Sequence, residues 1–113
     1  MTRAAKRNPE YLRGTLDVLI LQALSRGRQH GFGIARWIEA LTGEELRIEE
    51  GSLYPALQRL RARGLVEAAW DVTAHGRRAR FYHLTEAGRR ALRREREGWT
   101  RFSRAVARVL RAD

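Results

Sequence analysis

The chain has no cysteine, only two prolines, one methionine and a single lysine, Lys6. Without cysteine there is no disulfide, no thiolate nucleophile and no thiolate metal site. Its three histidines, His30, His75 and His83, stand apart and have no partner ligands at zinc spacing. The glycines of "HGFGIA" open a helix that follows another helix, not a strand, so they do not form a nucleotide-binding fingerprint. No Ser-His-Asp context is present either. Catalysis, a bound metal and a cofactor are therefore not expected. No apolar run approaches the roughly 20 residues needed to cross a bilayer. The first thirteen residues are basic and polar and lack the apolar core of a signal peptide. The expectation is a cytoplasmic protein without a membrane partner.

What the chain has in excess is positive charge. There are 23 basic residues against 13 acidic ones, a formal net charge of +10, in 113 residues. A balance of this kind suits a polyanion, most often nucleic acid. The competing reading is a solvated basic surface without a specific partner.

The length is that of one domain. Residues 1 to 12 are polar and basic and are expected to be a flexible arm. From Thr15 the pattern is helical: Leu16, Leu19, Ile20, Ala23 and Leu24 share one face, with a start at Thr15 or near Asn8 and Pro9 and an end at Arg26-Gly27. Ile34, Trp37, Ile38 and Leu41 form a second stripe, closed by Thr42-Gly43. Leu53, Ala56 or Leu57, and Leu60 form a third, stopped by Gly64. Proline is comfortable only in a first helical turn, so Pro55 predicts a start at Gly51 or Ser52, with Glu49 and Glu50 at the positive helix end.

The period then changes from helical to alternating. Val66, Ala68, Trp70 and Val72 alternate with Glu67, Ala69 and Asp71, which predicts a strand. Residues 73 to 78, "TAHGRR", read as a turn, and 79 to 84 as the returning strand. Thr85 caps a last helix that runs to about Leu110.

This order predicts a mainly α-helical fold with a two-stranded β-hairpin: a winged helix-turn-helix over residues 13–84, followed by a C-terminal dimerisation helix over 85–113. In such an architecture the third helix enters the major groove and the hairpin tip reaches the backbone or minor groove. With Leu53, Leu57 and Leu60 inward, the outward residues are Ser52, Pro55, Gln58 and Arg59, with Tyr54 at the border. Arg77, Arg78 and Arg80 put cations on the wing. A charged edge strand that resists aggregation explains the same arginines without DNA. On the last helix, Leu92, Trp99, Phe102, Val106 and Val109 recur at spacings close to a heptad seam, interrupted by Glu95. A second copy would bury Trp99 and Phe102, and twofold pairing would set two reading heads on a roughly palindromic site. The alternative folds this helix back on the first one. A dimeric winged-helix adaptor for an acidic protein is the rival function.

The runs "TLDVLILQALSRGRQHGFGIARWIEAL", "EEGSLYPALQRLRARGLVE" and "RRARFYHLTEAGRRAL" together resemble the PadR family of bacterial transcriptional regulators over about residues 12 to 110. The resemblance implies a winged-helix homodimer, usually a repressor, associated with the nucleoid. It implies a DNA-reading helix at about 50 to 63, with Gly51, Ser52 and Tyr54 at the DNA surface and Arg77 and Arg78 as the basic wing residues. It also implies dimer contacts on the first and last helices, which adds Leu16 to the seam. Some short members of the family hold a flat aromatic effector between subunits. By that likeness Trp99, with Trp70, would face such a compound, and the competing reading keeps Trp99 as an interface anchor. Where many relatives carry a serine or threonine cap, this chain has Glu49.

Overall fold

The computed structural model describes the backbone of residues 10–112 and the side chains of 14–112. Four helices and three strands follow one another: α1 (Glu10–Leu24), β1 (Gln29–His30), α2 (Gly31–Leu41), α3 (Glu50–Ala62), β2 (Val66–Val72), β3 (Arg78–Leu84) and α4 (Glu86–Arg111). Of the arm expected at 1–12, residues 1–9 lie outside the described residues, and 10–12 belong to α1.

The three short helices form where the apolar spacing places them, and they share one core. Ile20, Leu21 and Leu24 of α1, Ile34 and Ile38 of α2, and Leu53, Leu57 and Leu60 of α3 are fully buried. Burial of each such side chain contributes about 1.5–3 kcal/mol. This packing resolves the position of Pro55. The helix starts at Glu50, with Glu49 as an N-cap that makes no side-chain capping bond, so the proline lies inside the helix and not in its first turn. An interior proline costs about 3 kcal/mol. Three buried leucines on the same helix outweigh that cost.

The α2 stripe is narrower than its spacing suggests. Ile34 and Ile38 are core residues, Trp37 packs against the core, and Leu41 is exposed. The loop from 42 to 49 is anchored from within by Glu39, the one buried charged residue among those described. Its carboxylate accepts from the backbone N–H of Ile48 at 2.8 Å. Arg36 and Arg47 each approach it to 3.9 Å. That bond fixes where the chain turns into α3.

The sheet has three strands, not the expected two, in the antiparallel order β1-β3-β2. β1 is two residues long, with Gln29 opposite Tyr82 and His30 opposite Phe81. A strand that short leaves no period to read. In the hairpin, Val66 pairs with Leu84 and Trp70 with Arg80. The expected inward face is buried only at its root: Val66, Tyr82 and Leu84 are core, whereas Trp70 and Val72 are exposed. The distal wing has outrun the helices beneath it.

The end of α3, the root of the wing and the start of α4 are tied together. Gly64, at φ +75°, ends α3 in a conformation that suits glycine. Thr85 then caps α4 by accepting from Gly88 N–H at 3.0 Å, as its position predicts, and its hydroxyl donates to the Gly64 carbonyl at 2.7 Å. No helix among the described residues is long and apolar enough to cross a membrane.

Candidate nucleic-acid interface

The outward face of α3 stays open to solvent. Gly51, Tyr54, Pro55 and Gln58 are exposed, and Ser52 is half-buried. Tyr54 is braced as well as exposed. A Cβ added at Gly31 would lie 2.8 Å from its hydroxyl oxygen, so the phenol rests against the first residue of α2. Partial burial raises the pKa of Tyr54, and the carboxylate of Glu50 and then Tyr82 push the same way. The hydroxyl therefore stays protonated at neutral pH and can donate to a phosphate oxygen. Gln58 accepts from Arg61 Nη1 at 3.1 Å, which orients its amide along the helix.

Arg59 is placed differently from its sequence neighbours. Its guanidinium donates to Asp17 Oδ1 on α1 at 2.8 Å, with side-chain exposures of 34% and 13% for the two partners. A cation held this closely by a largely buried carboxylate braces α1 against α3. Arg59→Ala is therefore expected to lower stability by about 1–3 kcal/mol, because it leaves Asp17 without its partner. Chemical denaturation would measure this. An unchanged midpoint with altered sequence preference would return Arg59 to the reading face.

The wing tip is built on Thr73. Its N–H donates to the Arg77 carbonyl at 2.7 Å, and its hydroxyl oxygen accepts from Arg77 N–H at 3.2 Å. Gly76, at φ +82°, closes the turn. Arg77 and Arg78 are thus presented at the apex, both exposed. Arg78 and Arg80 lie over the Trp70 ring, at 4.9 and 5.5 Å from its centroid. Stacking of this kind holds long cationic side chains in a defined position. Arg80 is half-buried, and its Nε has no acceptor among the described residues.

One contributor has no signal in the periodicity. Arg28 donates to Asp71 Oδ2 at 2.7 Å and lies 4.3 Å from the Phe81 ring centroid, clamping the chain before α2 to both strands of the wing. Asp71 also accepts from Val72 N–H, and this bond, followed by Arg28, holds its carboxyl below the usual carboxylate range. Only the unrecognised strand β1 brings Arg28 to the hairpin.

The dimer residues expected from sequence divide into two groups. Leu92 is buried in the chain's own core, and Leu16 packs against that core. Trp99, Phe102, Val106 and Val109 are exposed, and the Trp99 and Phe102 rings stand 5.7 Å apart. Trp99 also lines an open groove of about 240 Å³ with Gly14, Thr15, Val18, Glu95, Gly98 and Phe102. Trp70 is on the wing beneath its arginines, so the two tryptophans suggested for an effector do not meet in that groove.

Residues 20–94 match the transcriptional regulator PadR-like family. The chain belongs to that family. It is 34% identical to the transcriptional regulator Rv3488 of Mycobacterium tuberculosis over 86% of this chain and 87% of that protein. Among solved structures, a transcriptional regulator from Clostridium thermocellum superposes with a TM-score of 0.79 at 26% identity, over 88% of this chain and 94% of that one. A PadR-like transcriptional regulator from Bacillus cereus gives 0.77 at 25% identity, over 92% and 99%. The PadR assignment makes this winged helix-turn-helix chain a DNA-binding transcriptional regulator and not an enzyme.

Proposed function

We propose that this PadR-family chain is a homodimeric repressor that occupies a pseudo-palindromic operator in the cytoplasm, on the nucleoid. Two copies pair along α1 and the exposed apolar stripe of α4, and each sets its α3 in a major groove with its wing tip on the flanking backbone. The observation that carries this reading is the solvent exposure of Gly51, Tyr54, Pro55 and Gln58 on a helix whose opposite face is fully buried. Gly51 lets the backbone approach, Ser52 and Tyr54 contact phosphate, Pro55 packs on the groove wall, and the Gln58 amide reads a base edge. Arg77 and Arg78 contact phosphates, and Arg80 supports them through Trp70. Repression follows from occupancy: a duplex held in two adjacent grooves is closed to other proteins.

Selection of bound duplexes from a random pool tests the reading. The expected result is one enriched motif with twofold symmetry and half-sites about one helical turn apart. It should bind at least about a thousandfold tighter than random duplex. A pool that shows no enrichment would instead favour a basic adaptor for an acidic protein.

Two substitutions separate positioning from reading. Arg77→Ala with Arg78→Ala, present in both subunits of the dimer, should weaken binding to every duplex and reduce the slope of affinity against salt by about 4. Gln58→Ala should instead relax preference at one position of each half-site, by about 1–3 kcal/mol. Titrations at several salt concentrations on matched and mismatched sites measure both. If the two variants behaved alike, base reading would not belong to Gln58.

A further inference from the structure

Most of the charge of this protein is not on its reading elements. Between residues 14 and 85 there are ten arginines and eight acids, whereas α4 carries nine arginines and three glutamates. All nine of those arginines are exposed. Among the described residues, α4 makes one ion pair, Arg90 to Glu86 at 3.9 Å.

Their placement is not scattered. At 3.6 residues per turn the arginines fall within roughly 160° of the helix circumference. The opposite side carries Gly88, Ala91 and Leu92, buried against the winged body, and Trp99, Phe102 and Val106 further along. α4 is attached to α1 and β3 of the winged body. The arginine side is on the opposite side of α4 from its buried residues Gly88, Ala91 and Leu92. It runs the whole helix, about 39 Å at 1.5 Å per residue.

We propose that this face binds the phosphate backbone of a second DNA duplex, separate from the operator segment, so that one dimer holds two DNA segments together. The inference rests on the function proposed above. Three observations favour a duplex as the occupant. Every cation on the face is arginine, whose planar guanidinium pairs with phosphate through two hydrogen bonds. The charges extend along a straight line about as long as one turn of duplex, which presents one phosphate charge per roughly 1.7 Å. The face holds no large apolar side chain, and a protein partner would need such an anchor.

A two-duplex energy-transfer experiment tests this. One duplex carries the full selected operator and a donor dye, at a concentration that saturates both reading heads. The other is unrelated in sequence and carries an acceptor dye. The wild-type protein should give energy transfer that disappears as salt is raised. The variant Arg93→Gln, Arg96→Gln, Arg104→Gln, Arg108→Gln should bind the operator as the wild type does. Its affinity for the second duplex should fall by about a hundredfold at moderate salt, and the salt slope of bridging should drop by about 3 to 4. The same four positions changed to lysine should restore bridging in part, because the charge returns but the two-bond pairing does not. Circular dichroism and sedimentation on the variants establish that helix and assembly are intact. A wild type that binds its operator yet gathers no second duplex, or a glutamine variant that bridges normally, overturns the inference and leaves the repressor reading standing. A wild type that fails to bind operator duplex removes both.

Discussion

Trp99→Asp is expected to convert the protein to monomers in sedimentation and to weaken operator binding by at least a hundredfold. Trp99, Phe102 and Val109 are 48%, 53% and 73% exposed, on a helix whose first turns are core. A contiguous apolar stripe of that size on a domain this small marks an interaction surface. Tryptophan at its centre is the residue type that most often anchors such a contact. An aspartate there would have to be buried without a partner, at a cost of several kcal/mol, or keep the two copies apart. Loss of pairing is then amplified on DNA. Two linked heads bind about 10²–10⁴ times more tightly than one, because the second engagement is intramolecular. Trp99→Phe should keep both properties, since it preserves an apolar anchor. If the aspartate variant sedimented as a dimer with unchanged operator affinity, the stripe would not be the pairing surface.

What could be read from the sequence follows from the physics of each element. α1, α3 and α4 were legible because an apolar stripe repeats over at least three turns, and because Gly64 and Thr85 mark where one element stops and the next starts. The PadR likeness was legible from three motifs spread over the chain. The placement of Pro55 was not, because a start judged from one residue's preference ignores three leucines that hold the helix regardless. β1 was too short to show alternation, and with it went the Arg28–Asp71 clamp, 43 residues apart in sequence. Helical spacing gave the face of Arg59 but not its partner. That partner, Asp17, lies on another helix, 42 residues away in sequence. Leu92 continues the seam in sequence, yet the winged body ends beside it, so the stripe changes from core to surface between Leu92 and Trp99. Net charge pointed to nucleic acid but gave no location, and most of it sits on α4.

The largest loss of stability is expected from adding a single methyl group, Gly88→Ala. Inside a helix this change alone favours folding by about 1 kcal/mol. Here the new Cβ would run into the carbonyl oxygen of Leu65, and would stand 3.1 Å from that carbonyl carbon and 3.2 Å from Leu84 Cδ2. The carbonyl cannot easily retreat, because it accepts from Thr85 N–H at 3.1 Å and its own residue donates to Leu60 O at 2.9 Å. The clash should therefore exceed the propensity gain and leave a net loss of about 2–4 kcal/mol. That corresponds to a fall of about 10–20 °C in Tm for a domain of this size. Gly51→Ala supplies the contrast: it is also helical, nothing lies within 4 Å of its added Cβ, and Tm should hold or rise by a few degrees. Equal shifts in the two variants would mean that the junction at Leu65 is soft. The functional consequence follows from where Gly88 sits. It is the point at which α4 is pressed against the root of the wing, and in the proposed dimer it would set the angle between the two reading heads. A Gly88→Ala protein kept folded by low temperature should tolerate operators whose half-sites are one base pair closer or further apart, a tolerance the wild type should lack.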